Sequence, residues 1–163
     1  MHTKDKTQFE EQSFPTFCSQ LKISSPVFEE NGLIPPQYTC DGANINPSLD
    51  IAAVPPGTKS LAVIMEDPDA PSSTWTHWLA WNIPVTKHIK EDRKMEVEGL
   101  NDFHVGKYKG PCPPYGTHRY MFKVFALDSM LELAARSTAS GLETAMGGHI
   151  IGFGQLVGRY KRR

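Results

Sequence analysis

The 163-residue chain has no long apolar run. Its longest uninterrupted hydrophobic stretch is Leu61 to Met65, five residues, whereas a membrane-spanning helix needs about 20. Neither charge is in surplus: 17 Lys and Arg stand against 18 Asp and Glu, for a net charge of -1. That balance argues against a general nucleic-acid binder, which carries a basic excess. Residues 1–17 are polar and mixed in charge, with no apolar core of a signal peptide, so the expected location is cytoplasmic. Cysteine is scarce. Cys18, Cys40 and Cys112 are too few for a disulfide framework, and no Cys-x-x-Cys pair offers a thiolate zinc site. In a reducing cytoplasm all three are expected as thiols; in an exported protein a Cys40–Cys112 bridge is the alternative. A Gly-x-Ser-x-Gly elbow and a phosphate-cradling Gly-x-x-x-x-Gly-Lys are also missing.

What the chain does have is proline, 13 residues against a usual share of roughly 5%. The prolines cluster at Pro35-Pro36, Pro55-Pro56, Pro68 to Pro71 and Pro111 to Pro114. Short strand-like segments lie between them. Residues 61–65 suit a strand covered on both faces, 78–83 and 120–127 are aromatic and β-branched, and 20–28 and 153–160 are weaker candidates. Breaks at this spacing leave little room for helix. The expected fold is mostly β, an antiparallel β-sandwich of two sheets with one or two short helices. One helix is expected over 140–147, from the capping-box spacing of Ser140 and Glu143 and the apolar series Leu142, Ala145, Met146. A second helical turn is expected over 130–135. Residues 1–17 read as a flexible extension and 18–163 as one domain.

Polar chemistry concentrates in two segments. Asp67-Pro-Asp69-Ala-Pro71 directly follows the apolar strand, and His77 sits among Trp75, Trp78 and Trp81. Asp-Pro-Asp is equally the signature of a rigid turn whose carboxylates hold backbone amides. The second segment, Gly110 to Tyr120, delivers His118, Arg119 and Tyr120 at a strand start. Alternation puts His118 and Tyr120 on one face and Arg119 on the other. An imidazole and a phenol pointing together make a donor set for a phosphate or carboxylate; an aromatic core pair with a satisfied imidazole is the alternative. Alternation likewise aligns Trp75, His77 and Leu79, so a buried core histidine is a second reading for His77. His149 reads as structural. No two histidines stand at a short metal-ligand spacing, so no metal is expected.

Asp67-Pro-Asp-Ala-Pro71, Trp75-Thr-His77, Gly110-Pro-Cys-Pro-Pro114 and His118-Arg-Tyr120 together resemble the phosphatidylethanolamine-binding protein family, also called the Raf kinase inhibitor protein family. Tyr38-Thr-Cys-Asp-Gly42 and the closing 148–160 segment resemble its bacterial and archaeal branch. The likeness spans roughly residues 20 to 161. It implies a β-sandwich with a small pocket that accepts phosphate, phosphorylethanolamine or acetate. Carried over residue by residue, the implied lining is Asp67, Trp75, His77, Gly110, Pro111, His118 and Tyr120. Asp69, Pro71 and Arg119 would support it, with Asp69 and Arg119 as an ion pair. Gly110 is expected to present its backbone amide, and Asp67 to orient a histidine or receive the ligand's ammonium. Ala70–Pro71 is expected to be cis, to bring the loops together.

Two departures qualify the carry-over. Eukaryotic members continue into a C-terminal helix at the pocket rim, whereas this sequence stops at Arg163, so a more open pocket is expected. The short 67–77 segment alters the surface that eukaryotic members present to kinases. The expected function is a small-anion or phospholipid-headgroup binding module, acting as an inhibitor or regulator of a partner protein, with no cofactor. The expected partners are the small anion, a regulated protein and a second copy of the chain. Two alternatives stand beside it: an enzyme acting on a small phosphorylated or carboxylated substrate through Asp67 and His77 as an acid–base pair, and a protein-interaction module with a vestigial pocket.

Overall fold

The computed structural model describes residues 18–163, so the expected extension at 1–17 lies outside the described residues. Nine strands form two sheets, and most of their residues are apolar and β-forming. In chain order they are β1 (Ser19–Gln20), β2 (Lys22–Ser24), β3 (Leu49–Ala52), β4 (Ser60–Asp67) and β5 (Trp75–Ile83). They continue as β6 (His88–Ile89), β7 (Val97–Glu98), β8 (His118–Leu127) and β9 (Ile150–Tyr160). A large sheet has the order β1-β9-β8-β4-β5-β7, and a small one the order β2-β3-β6. The fold is therefore mostly strand in two sheets, as the sequence implies. One pairing departs from an all-antiparallel plan: β1 runs parallel to β9 at the sheet edge.

Burial follows the alternation of side chains. Leu61, Val63 and Met65 of β4 join Trp78, Tyr120 and Phe122 in a core shared with Leu21, Ile23, Leu49 and Ile51 of the small sheet's side. Ala62 and Ile64 point the other way, into a second core with Leu79, Trp81 and Phe125. The apolar run at 61–65 is thus covered on both faces. The second core is closed by α1 (Ala139–Met146), which buries Leu142 and Met146.

Three local expectations are corrected. The helix starts after Thr138, which makes no side-chain cap, so Ser140 and Glu143 lie inside it and form no capping box. Residues 130–135 are not helical. There the Asn82 amide accepts from the Leu131 N–H at 2.7 Å and donates to the Leu131 carbonyl at 3.0 Å, engaging the groups a helical turn would need. The second helical element is instead a 3-10 turn over Pro36–Tyr38, opened by proline at its first positions. Third, no peptide bond among the described residues is cis, Ala70–Pro71 included. The Asp67 carboxylate closes that turn by accepting the Asp69 N–H at 2.8 Å. Among the described residues no helix is long and apolar enough to cross a membrane.

The inner face of β9 is cut back to glycine where the chain after β1 crosses it. A Cβ on Gly154 would lie 2.5 Å from the Leu21 carbonyl oxygen, a backbone atom that cannot swing aside. Gly154→Ala is expected to lower unfolding free energy by about 1–3 kcal/mol through overpacking, read as a lower urea midpoint at unchanged slope. A variant as stable as the parent would show that this crossing yields easily.

Candidate functional site

Strand ends bring the polar residues together. Asp67 closes β4, His118 and Tyr120 open β8, and His77 lies near the start of β5. All four are buried. Each oxygen of the Asp67 carboxylate has a partner: one accepts the Asp69 N–H, and the other receives His118 Nδ1 at 2.7 Å. Asp67 therefore orients a histidine, and that histidine is His118.

His77 is placed by an irregularity. Glu66 faces Thr76 and Met65 faces Trp78, so His77 is the extra residue of a β-bulge. A bulge re-aims the side chain it carries. His77 consequently does not align with Leu79, which enters the second core; its ring meets Tyr120 edge-on at 5.4 Å, on the face that holds Trp78. Nδ1 of His77 lies 2.6 Å from the Lys109 carbonyl, an acceptor, so this nitrogen carries the proton and Nε2 is bare in the neutral ring. Burial holds the His77 pKa below the ordinary imidazole value; the Lys109 carbonyl and the Asp67 carboxylate pull it the other way.

Tyr120 stands between the two imidazoles, nearly parallel to His118 at 6.4 Å and perpendicular to His77. Its hydroxyl is buried and has no hydrogen-bond partner. Asp67 and the Cys112 backbone are close enough to influence it but satisfy bonding geometry with it in neither case. Burial, then the Asp67 charge, pushes its pKa far up, so it is a phenol with a proton to donate. An orphaned donor in a buried site is costly and calls for an explanation.

The remaining expected residues divide. Arg119 faces outward and grips Asp69 through Nε at 3.0 Å and Nη2 at 2.8 Å, while its N–H adds a third bond at 2.9 Å. This is the expected ion pair, and it ties the two motif segments together. Pro111 is buried, and its carbonyl accepts the Cys40 N–H. The Gly110 amide is not presented to a ligand: it donates to Asn44 Oδ1 at 2.7 Å. Glycine is needed there because a Cβ would lie 2.1 Å from the Tyr38 carbonyl oxygen. Trp75 is half-buried and reaches the site through Phe103, which contacts Trp75 at 5.7 Å and His77 at 5.2 Å. Pro71 is exposed. His149 sits apart, its Nδ1 between Asp128 and Ser129.

Several supporting residues escaped the sequence reading. Buried Asn101 donates to the carbonyls of His77 and Lys107 and accepts the N–H groups of Phe103 and Val105, which fixes the loop behind His77. Phe103 and Asn44 are further examples. Cys40 and Cys112 are bridged rather than free thiols, with Cα atoms 5.4 Å apart, which ties the 36–42 segment to the 110–114 segment. Among the described residues no group of three or more His, Cys, Asp or Glu is arranged to hold a metal.

Comparison with known proteins agrees with this architecture. The sequence model of phosphatidylethanolamine-binding protein matches residues 24–161. A UPF0098 protein of Pyrococcus horikoshii is 47% identical over 154 residues, covering 88% of this chain and 77% of the relative. One from Methanothermobacter thermautotrophicus is 41% identical, covering 87% and 99%. Among solved structures, a phosphatidylethanolamine-binding protein homologue from Chlamydia trachomatis superposes with a TM-score of 0.84 at 37% identity, covering 91% of this chain and all of that one. Escherichia coli YbcL superposes with a TM-score of 0.81 at 30% identity, covering 88% and 99%.

The Asp69–Arg119 clasp has a measurable signature. Hydrogen bonds from Arg119 hold the Asp69 pKa at about 2, against about 3.9 in an unfolded chain. A depressed carboxyl pKa contributes stability that is complete above about pH 4 and is lost as pH falls through the folded value. Carboxyl-carbon NMR titration should give Asp69 a midpoint near 2, and Arg119→Ala should move it up to the ordinary range. An unmoved midpoint would assign the depression to another cause.

Proposed function

From the premise that the chain belongs to the phosphatidylethanolamine-binding protein family, we propose that it is a binding module for a small anion of the phosphate or phosphorylethanolamine type. Asp67, Trp75, His77, Gly110, Pro111, His118 and Tyr120 form the site, and occupancy regulates a partner protein. One observation carries the reading: the buried Tyr120 hydroxyl has a proton to donate and nothing to receive it. An anion oxygen beside Tyr120 is the acceptor that would satisfy it. The two flanking imidazoles add donors when protonated, His118 held in orientation by Asp67 and His77 by the Lys109 carbonyl. Gly110 contributes shape to the wall rather than an amide, since its N–H is engaged by Asn44.

A carboxylate-oriented imidazole such as His118 is also the arrangement of a general base, and this pair supports an enzyme as the second reading. Prolonged incubation with phosphorylethanolamine separates the two. A binding module returns the ligand intact, and an enzyme yields ethanolamine, phosphate or another product.

pH and substitution test the anion site. Neutral His77 turns a bare Nε2 lone pair toward an anion; protonation replaces it with a charged donor. Its pKa lies below the ordinary value, so affinity should rise as pH falls from about 8 to about 5.5. Acetate serves as the control ligand because it stays ionised over this range. His118→Ala should cost about 1.5–3 kcal/mol of binding as a lost charge-assisted bond. Tyr120→Phe should weaken binding while leaving stability equal or higher, because it removes an unpaired buried hydroxyl. His88→Ala, at an exposed pair with Asp50, should change neither. Calorimetric titration that finds equal affinity in all variants, or affinity rising with pH, would remove the anion site from these residues.

A further inference from the structure

A cleft of about 680 Å³ lies beside the candidate site and shares its Lys107–Lys109 segment. The family resemblance places nothing there. Its walls carry Arg93, Lys94, Lys107, Lys109 and Arg136 but only two carboxylates, Asp92 and Glu98. For a chain with a net charge of -1, this is a local concentration of positive charge. Two pairings qualify that count. Glu98 turns its carboxylate to the buried Trp78 Nε1 at 3.3 Å. Arg93 is neutralised by Glu96 at 2.8 Å. Lys94, Lys107 and Arg136 have no carboxylate partner among the described residues.

These cations are held on a backbone that is itself unusual. Seven described non-glycine residues adopt positive φ, and four of them line this cleft: Asn44 at 61°, Asp92 at 53°, His104 at 62° and Arg136 at 69°. Such conformations persist only where surrounding structure enforces them, and they concentrate at ligand sites. Here the enforcement is visible. Asn46 binds the Arg93 N–H at 2.8 Å and the Lys90 carbonyl at 3.0 Å, Asn101 binds the Lys107 carbonyl at 2.8 Å, and the Arg136 N–H is fixed on the Glu98 carbonyl. Three separate loops therefore present positive side chains to one recess at fixed positions.

We propose that the cleft is a second ligand site, for a small molecule carrying two or more phosphate groups. Its volume falls within the range that encloses a small molecule. Charges arriving from three loops suit a compact polyanion better than a linear acidic peptide, which would align its charges along one line. Ile45, Val105 and Tyr108 add an apolar wall for an organic portion of the ligand. The site is independent of the anion reading of His118 and Tyr120.

Inorganic tripolyphosphate is the probe, titrated calorimetrically into the parent, Lys107→Ala/Arg136→Ala and His118→Ala proteins. Both replaced cations are exposed and unpaired, so the double variant should fold, which circular dichroism checks. Affinity at the cleft is expected to fall at least about tenfold in the double variant and to stay at the parent value in His118→Ala, which loses only the separate small-anion binding beside Tyr120. It should also weaken when salt is raised from roughly 50 mM to roughly 200 mM. Unchanged affinity in the double variant, or loss confined to His118→Ala, would overturn the proposal. So would a hexaglutamate peptide that binds as tightly as tripolyphosphate, which would make the cleft a peptide surface instead. Loss in the double variant with no phosphorylethanolamine binding anywhere would sustain this site and remove the other.

Discussion

A sheet covered on both faces leaves polar chemistry almost nowhere to stand. Strands β4, β5 and β8 run between two apolar cores, with Leu61, Val63 and Met65 serving one and Ala62 and Ile64 the other. A polar side chain in mid-strand loses its water and needs a partner, as Lys123 of β8 finds in Glu66 of β4. The site's carboxylate and imidazoles stand at strand ends and at an irregularity, and there each is paired. Asp67 and His118 stand at neighbouring strand ends and satisfy each other. His77 takes the bulge and spends one ring nitrogen on a carbonyl. Within this arrangement the Tyr120 hydroxyl is the exception, which makes it informative.

The loops around the site are cross-linked by amide side chains more than by charge. Asn101 makes four bonds to backbone, Asn44 takes the Gly110 amide and Asn46 bridges to the 90–93 turn. Tyr108 adds a bond from its hydroxyl to the Tyr38 carbonyl, and the Cys40–Cys112 bridge closes the same seam. Neutral groups hold position without adding a field of their own. Beside the Asp69–Arg119 clasp, charge is set in a carboxylate–imidazole pair on one side of residues 107–110 and in an unbalanced set of cations in the adjoining cleft.

Much of this was legible in the sequence, for identifiable reasons. Proline-bounded apolar runs announced the long strands and the sandwich class, and the motifs around Asp67, His77, Gly110 and His118 carried the family resemblance. Alternation worked for His118, Arg119 and Tyr120 because β8 pairs without a break there. It failed at His77 because one inserted residue shifts every face beyond it and leaves no mark in composition. Asn44 and Asn101 read as ordinary turn formers, and only the fold shows which carbonyls they meet. The cleft was invisible for another reason: its cations come from positions 93–94, 107–109 and 136, which no local pattern connects. The cysteine reading rested on compartment, whereas the bridge follows from proximity in the fold.

The outer strands of the large sheet, β1 and β7, are two residues each, beside inner strands of 8 to 11. Past these stubs the exposed ladders are used up by loops. Gly99, Asp102 and Lys109 donate to the carbonyls of Leu79, Thr76 and His77 along β5, while Asn31 and Ile34 do the same along β9. A foreign strand approaching either margin meets carbonyls already taken. The sheet thus offers little template for extension by another chain, and self-association through edge pairing is suppressed. Association across the margins of the large sheet has to be written in side chains and loop surfaces, the same parts of the molecule that carry its binding chemistry.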